Sequence, residues 1–229
     1  MKLHKFLLAA IAILSVAATA NADIVEFDFE TDDAQNPAFA LALDGPAPFT
    51  ATQAGITFTA SATSTNGTTN PNSADSGIGV NSSVPGDGNN SIDPGEVLTL
   101  TVTFDETAFE KVQFVELDLG NIGGTGDGAN VTLTDGTNFD FFDNATAPEG
   151  FVFTDAAPDE ITLAEGNVID VSSGQTFIFQ TLAGQAVNQD FRVQRLSLHL
   201  TPVPEVVPEP SSLALLGLLG GVVGIRRRR

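Results

Sequence analysis

Residues 23–207 predict an all-β body, a β-sandwich of jelly-roll-like type. Three observations carry that reading. Short runs alternate apolar and polar residues, clusters of Gly, Asn, Asp, Ser and Pro separate them, and no helical period in the body is long enough to matter. The alternation has a physical cause. Successive side chains of a strand point to opposite faces, so a strand with one buried face needs an apolar residue at every second position.

Taken in order, the pattern places strands over residues 24–29, 56–60, 97–104, 111–119, 130–134, 139–142, 150–154, 167–171, 176–181 and 191–201. The cleanest is 97–104. Leu98, Leu100, Val102 and Phe104 fall on one face and Thr99, Thr101 and Thr103 on the other. In 111–119 the apolar parity switches, from Val112 and Phe114 to Val115, Leu117 and Leu119. One extra residue in the strand does this, so a bulge is expected near Phe114. The last strand switches likewise, from Phe191 and Val193 to Leu196, Leu198 and Leu200, which turns Arg195, Ser197 and His199 outward. Between residues 60 and 94 the chain is poor in apolar side chains and reads as one long surface excursion.

At this size one domain is the default. The body has 28 acidic residues against Lys111, Arg192 and Arg195, about 25 negative charges. Nucleic-acid binding is led by cation contacts to phosphate, so that class is excluded. The chain has no Cys, Trp or Tyr and 17 Phe, so it has no disulfide and no thiolate chemistry, and stability must come from packing. A sugar platform built on partly wet Trp or Tyr is disfavoured for the same reason.

The end of the long excursion holds the most suggestive chemistry of the body. Asp87, Asn89, Ser91 and Asp93 alternate, with Glu96 following, which suits calcium's demand for hard oxygen ligands. It is not an EF-hand: Ile92 stands where the loop glycine belongs, and Leu98 where the bidentate Glu belongs. The same residue types also build plain turns, and both readings stand. No cofactor other than calcium is expected. A glycine-rich stretch over 120–128 lacks the Lys spacing of a phosphate-binding loop. Catalysis finds little support. The one histidine outside the leader, His199, is outward on a strand, and acids are too abundant for any pair to be specific. The protein is read as a non-enzyme.

Both termini carry addresses. Lys2 and Lys5 precede an apolar run over residues 6–18, and Ala20 and Ala22 supply the small residues of a secretory cleavage site, leaving Asp23 as the new N-terminus. Residues 1–22 thus read as a signal peptide and signal peptidase as a processing partner. At the other end stand Pro208, Glu209 and Pro210, two serines, the apolar run 213–225, and Arg226, Arg227, Arg228 and Arg229. The prolines forbid a helix upstream, so one starts at the serines. Its 13 apolar residues reach roughly 20 Å, short of the roughly 30 Å hydrocarbon core. Such a segment inserts in the inner membrane transiently rather than anchoring there. The arginines hold that end on the cytoplasmic side.

The order of tripeptide, short apolar segment and basic stop over 208–229 resembles the PEP-CTERM sorting signal. The resemblance implies that an exosortase, a membrane cysteine protease with transpeptidase-like chemistry, recognises Pro208, Glu209 and Pro210 and passes the protein outward. It also implies a Gram-negative, exopolysaccharide-making or biofilm-forming host. Two readings of the body follow. One is a non-catalytic cell-surface or matrix protein acting with extracellular polysaccharide; the other is a calcium-dependent, lectin-like carbohydrate-binding module.

Overall fold

The computed structural model describes residues 22–31, 37–43, 49–65, 69–74, 77–82, 91–120, 128–142, 151–153, 160–163, 167, 169–184 and 190–204. The chain divides into two units. Asn21–Val203 is one; the other, Met1–Ala20 with Pro204–Arg229, lies outside the described residues apart from Pro204. The apolar leader and the tail helix expected from the sequence therefore fall outside them. Among the described residues no helix is long and apolar enough to cross a membrane.

Asn21–Val203 is all-β, built from two antiparallel sheets. The first contains β1 (Asp23–Asp28), β4 (Thr69–Ala74), β5 (Gly77–Ser82), β7 (Phe109–Gly120), β10 (Phe151–Phe153), β11 (Glu160–Leu163), β12 (Ile169–Asp170) and β14 (Arg192–Pro202). The second runs in the order β2 (Phe49–Gln53), β3 (Ile56–Ser64), β6 (Glu96–Phe104), β13 (Gln175–Thr181), β8 (Gly128–Leu133) and β9 (Asn138–Phe142). The first strand pairs with the last, from Asp23 opposite Leu200 to Asp28 opposite Arg195, so both ends of the unit are tied into one ladder.

The sheets share one core, and phenylalanine builds it. Phe27 of β1 meets Phe58 of β3 across the two sheets with ring centroids 4.7 Å apart, and Phe114 of β7 meets Phe177 of β13 at 5.7 Å. Phe39, on the short helix α1 (Pro37–Ala42), packs within 5.8 to 6.1 Å of Phe27, Phe29 and Phe58. A phenyl ring leaves no hydroxyl or indole N–H to be satisfied in a dry interior, so Phe can fill this space without a polar partner.

Both expected bulges are present in the β7–β14 ladder. Ser197 faces Glu116 while Leu198 faces Phe114, which makes Val115 the extra residue of β7. Val193 faces Leu119 while Arg195 faces Asp118, which makes Gln194 the extra residue of β14. The second bulge has a consequence for the surface. Without it Arg195 would take the parity of Val193 and point into the core; with it the guanidinium faces out.

The stretch read as a long surface excursion is a correction. β3 runs on to Ser64, and β4 and β5 form an antiparallel hairpin whose Ile78 and Val80 are fully buried. Gly77 opens β5 at φ 112°, where a Cβ would lie 2.6 Å from the Val193 carbonyl oxygen, so only glycine lets this hairpin approach β14. The short helix α1 is a second departure from the sequence reading. It buries Phe39 and Ala40, and Leu43 just beyond its end is buried too.

Candidate functional site

Of the five proposed calcium ligands, Asp87 and Asn89 lie outside the described residues. The other three belong to a turn that supports itself. The Glu96 amide donates to the Asp93 carbonyl (2.9 Å), with Pro94 and Gly95 between them and Gly95 at φ 93°, the residue order of a type II turn. Glu96 is 3% exposed, and its Oε2 accepts from the Asp93 amide at 3.0 Å, closing the turn from the side-chain direction. Ser91 is buried; its Oγ accepts from Arg192 Nε at 3.1 Å and its carbonyl from the Val80 amide. Among the described residues no group of three or more His, Asp or Glu side chains is placed to hold a metal ion.

The outer face of the first sheet gathers charge around one arginine. Glu26, Asp28 and Glu30 alternate along and just beyond β1, opposite in parity to the inward Phe27 and Phe29. In register, Asp28 stands opposite Arg195, which stands opposite Asp118 of β7. Arg195 lies 3.2 Å from Glu26 and 3.9 Å from each of Asp28, Glu30 and Asp118. Burial works against the guanidinium charge, but Glu26, Asp118, Asp28 and Glu30 outweigh it and hold Arg195 above its ordinary pKa. Asp28 and Asp118 are only 5% and 8% exposed. Three elements, β1, β14 and β7, thus converge on one cation. The alternation of Glu26, Asp28 and Glu30 with phenylalanine was the available signal for this cluster, but it needed the register to show what the acids face.

The outer face of the second sheet is different in kind. Strand pairing lines up residues that are uncharged except for Asp140 in rows that run across the strands. One row is Thr50, Thr59, Thr101 and Thr176, extended by Thr134, whose Oγ1 lies 2.8 Å from that of Thr176. A second is Ser61, Thr99, Ile178, Thr132 and Asn138. A shorter one is Thr52, Thr57 and Thr103, with the hydroxyls of the first two 2.7 Å apart. The fourth is Thr63, Val97, Gln180, Asn130 and Asp140.

Asn130 organises the end of these rows. It is 5% exposed; its Nδ2 donates to Asn138 Oδ1 and to Asp140 Oδ1 (2.6 Å), and its Oδ1 accepts from Thr132 Oγ1 (3.1 Å) and Gln180 Nε2 (3.0 Å). One buried amide therefore fixes four neighbours, two of which, Asn138 and Asp140, are exposed.

A cleft of about 350 Å³ opens beside the turn between β6 and β7. Phe104 and Phe109, edge to face at 5.9 Å, form part of its wall, and Glu110, Lys111 and Asp170 lie on its exposed side. Gln113 Nε2 donates to Asp170 Oδ1 at 2.9 Å. His199, the histidine of the body, is half-buried and lies in register between Ile24 and Gln113.

The predicted cleavage site is partly visible. Ala20 lies outside the described residues, while exposed Ala22 immediately precedes the first ladder residue, Asp23. Pro208, Glu209, Pro210 and the four terminal arginines all lie outside them. No curated protein and no solved structure matches the chain. The match lies at its end: residues 206–229 fit the family model described as the PEP-CTERM protein-sorting motif, and the chain carries that motif.

Proposed function

We propose that this chain is exported, recognised through its tail by an exosortase, and delivered as a non-catalytic cell-surface or matrix protein that works with extracellular polysaccharide. The match at residues 206–229 carries the export and exosortase part of this reading. The remaining features support it. Cleavage by signal peptidase after Ala22 would leave β1 whole, since its ladder starts at Asp23. The acidic body keeps the released domain soluble and repels nucleic acid. His199 lies in register between Ile24 and Gln113 with neither a nucleophile nor a carboxylate as its strand neighbour, which favours a non-catalytic reading. The calcium-dependent lectin is the weaker reading, because Ser91 and Glu96 direct side-chain oxygens to Arg192 and to the Asp93 amide inside the fold.

The test is fractionation in an exosortase-bearing Gram-negative host. The wild-type chain is expected in the cell-surface and matrix fractions, and a chain with Pro208, Glu209 and Pro210 all changed to Ala in the inner-membrane fraction. Equal distribution of the two would contradict the proposal.

A further inference from the structure

Two of the four rows on the second sheet end at a fixed Asn–Asp pair, Asn138 and Asp140, and the carboxylates facing Arg195 belong to the other sheet. We propose that the outer face of the second sheet is a docking surface for an uncharged, β-linked polysaccharide chain, laid along the row Ser61, Thr99, Ile178, Thr132 and Asn138. This names the ligand class and the surface for the association proposed above, and it rests on that reading.

Charge selects the ligand class. The body carries about 25 negative charges, yet Asp140 is the one carboxylate in the four rows of this face. An anionic polymer is repelled by the whole molecule over a Debye length of about 8 to 10 Å. A neutral one meets no such barrier, and here it also meets no array of hydrated carboxylates to strip.

The side-chain chemistry agrees. Threonine offers a methyl and a hydroxyl side by side, as a sugar ring offers C–H faces and hydroxyls. Adjacent strands lie about 4.8 Å apart, comparable to the length of one β-linked hexose in an extended chain, so each strand of the row meets about one sugar. The sheet twists by roughly 20 to 25° per strand, which favours a single chain that can follow the twist over a flat crystalline surface.

The row also has a built end. Asn138 and Asp140 are exposed and lie two residues apart on one strand, and buried Asn130 takes one oxygen of each. With its oxygen held, Asn138 presents its amide N–H donors, and Asp140 presents carboxylate acceptance beside them. A donor and an acceptor fixed next to each other suit a pair of neighbouring sugar hydroxyls, and their prior immobilisation lowers the entropy lost on binding.

The experiment is affinity electrophoresis of the purified full-length protein in native gels containing hydroxyethyl cellulose, an uncharged β-glucan, or alginate, an anionic polymer. Wild type is expected to be slowed at least about two-fold by the glucan and not by alginate. A chain with Thr59→Glu, Thr101→Glu and Thr176→Glu should run as it does without polymer, and Glu116→Gln, on the other sheet, should run as wild type. If the triple variant fails to fold by circular dichroism, Thr99→Val with Thr132→Val removes hydroxyls at nearly constant shape and should lose most of the retardation. The proposal is overturned if wild type is not slowed by the glucan, if alginate slows it more, or if retardation survives in the threonine variants. Self-association abolished by the Glu substitutions, without glucan retardation, would assign the face to a second copy and also overturn it. None of these outcomes bears on the fractionation result, which decides the sorting proposal separately.

Discussion

The two outer faces of this unit use opposite means to live in water. On the first sheet, carboxylates converge on Arg195 from β1 and β7, and the charges hold strands together. On the second, hydroxyls and amides lie in rows, and several of them bond sideways to one another, as Thr52 does with Thr57, Thr134 with Thr176 and Gln180 with Asn130. A charged face of the first kind depends on its balance, because removing the cation leaves nearly buried acids facing each other. A face of the second kind tolerates single changes, since each threonine that is lost gives up little that water cannot replace.

The strongest way to break the comparison is Arg195→Met. Asp28 and Asp118 would lose the guanidinium that faces them while keeping their charge at low exposure, and the loss should be about 3 kcal/mol, a fall in Tm of roughly 6 to 12 °C. Thr101→Val on the other sheet should stay within about 0.5 kcal/mol. Thermal or urea unfolding of both variants checks the pair, and equal losses would dissolve the distinction.

Asn130→Ala is the next largest, because Asn130 is the buried anchor of the second face. About 1 to 2 kcal/mol should be lost as its hydrogen bonds disappear, and the amide resonances of Asn138 and Asp140 should sharpen or shift as their side chains are released. Glu26→Gln should cost less than about 1 kcal/mol, even though Glu26 is the closest carboxylate to Arg195, since its side chain is 39% exposed.

The smallest effect concerns pH. Asp105 sits below the ordinary aspartate value because the Thr107 hydroxyl and then the Thr107 amide donate to its carboxylate. Asp135 is lowered by the Thr137 amide first and its hydroxyl second. For a depressed carboxylate the stabilisation is present above the unfolded pKa of about 4 and is lost as pH falls through the folded one. Thr107→Val should therefore move the Asp105 titration up toward its ordinary value. Thr137→Val should move Asp135 less, because its main donor is the backbone. Side-chain carboxyl shifts followed by NMR through the acid range check both.

Much of the fold was legible because the buried faces announce themselves. Leu98, Leu100 and Val102 alternate with Thr99, Thr101 and Thr103, and the parity switches near Phe114 and Gln194 correspond to real bulges. The strands between residues 60 and 94 lack that signature. β4 reads Thr-Asn-Pro-Asn-Ser-Ala, with Pro71 admissible only because the strand ends its sheet, and the hairpin it forms is held from elsewhere, by Ser73 Oγ donating to the Phe29 carbonyl at 3.0 Å. β5 has just two large apolar residues, Ile78 and Val80, each preceded by a glycine. β2 carries a local signal in its sequence. Its Phe-Thr-Ala-Thr-Gln run meets β3 across the two-residue turn Ala54–Gly55, both at positive φ, as a tight hairpin requires. Neither outer face could be read in full, because a row across strands depends on registers that connect residues as distant as Thr50, Thr101 and Thr176.

The tail remains the most direct statement of what the chain is for, and intact-mass spectrometry tests it. Protein recovered from the envelope of an exosortase-bearing host should begin at Asp23 and lack Arg226–Arg229, whereas protein from the same host without the exosortase should keep them. Arginines retained in both strains would contradict the account.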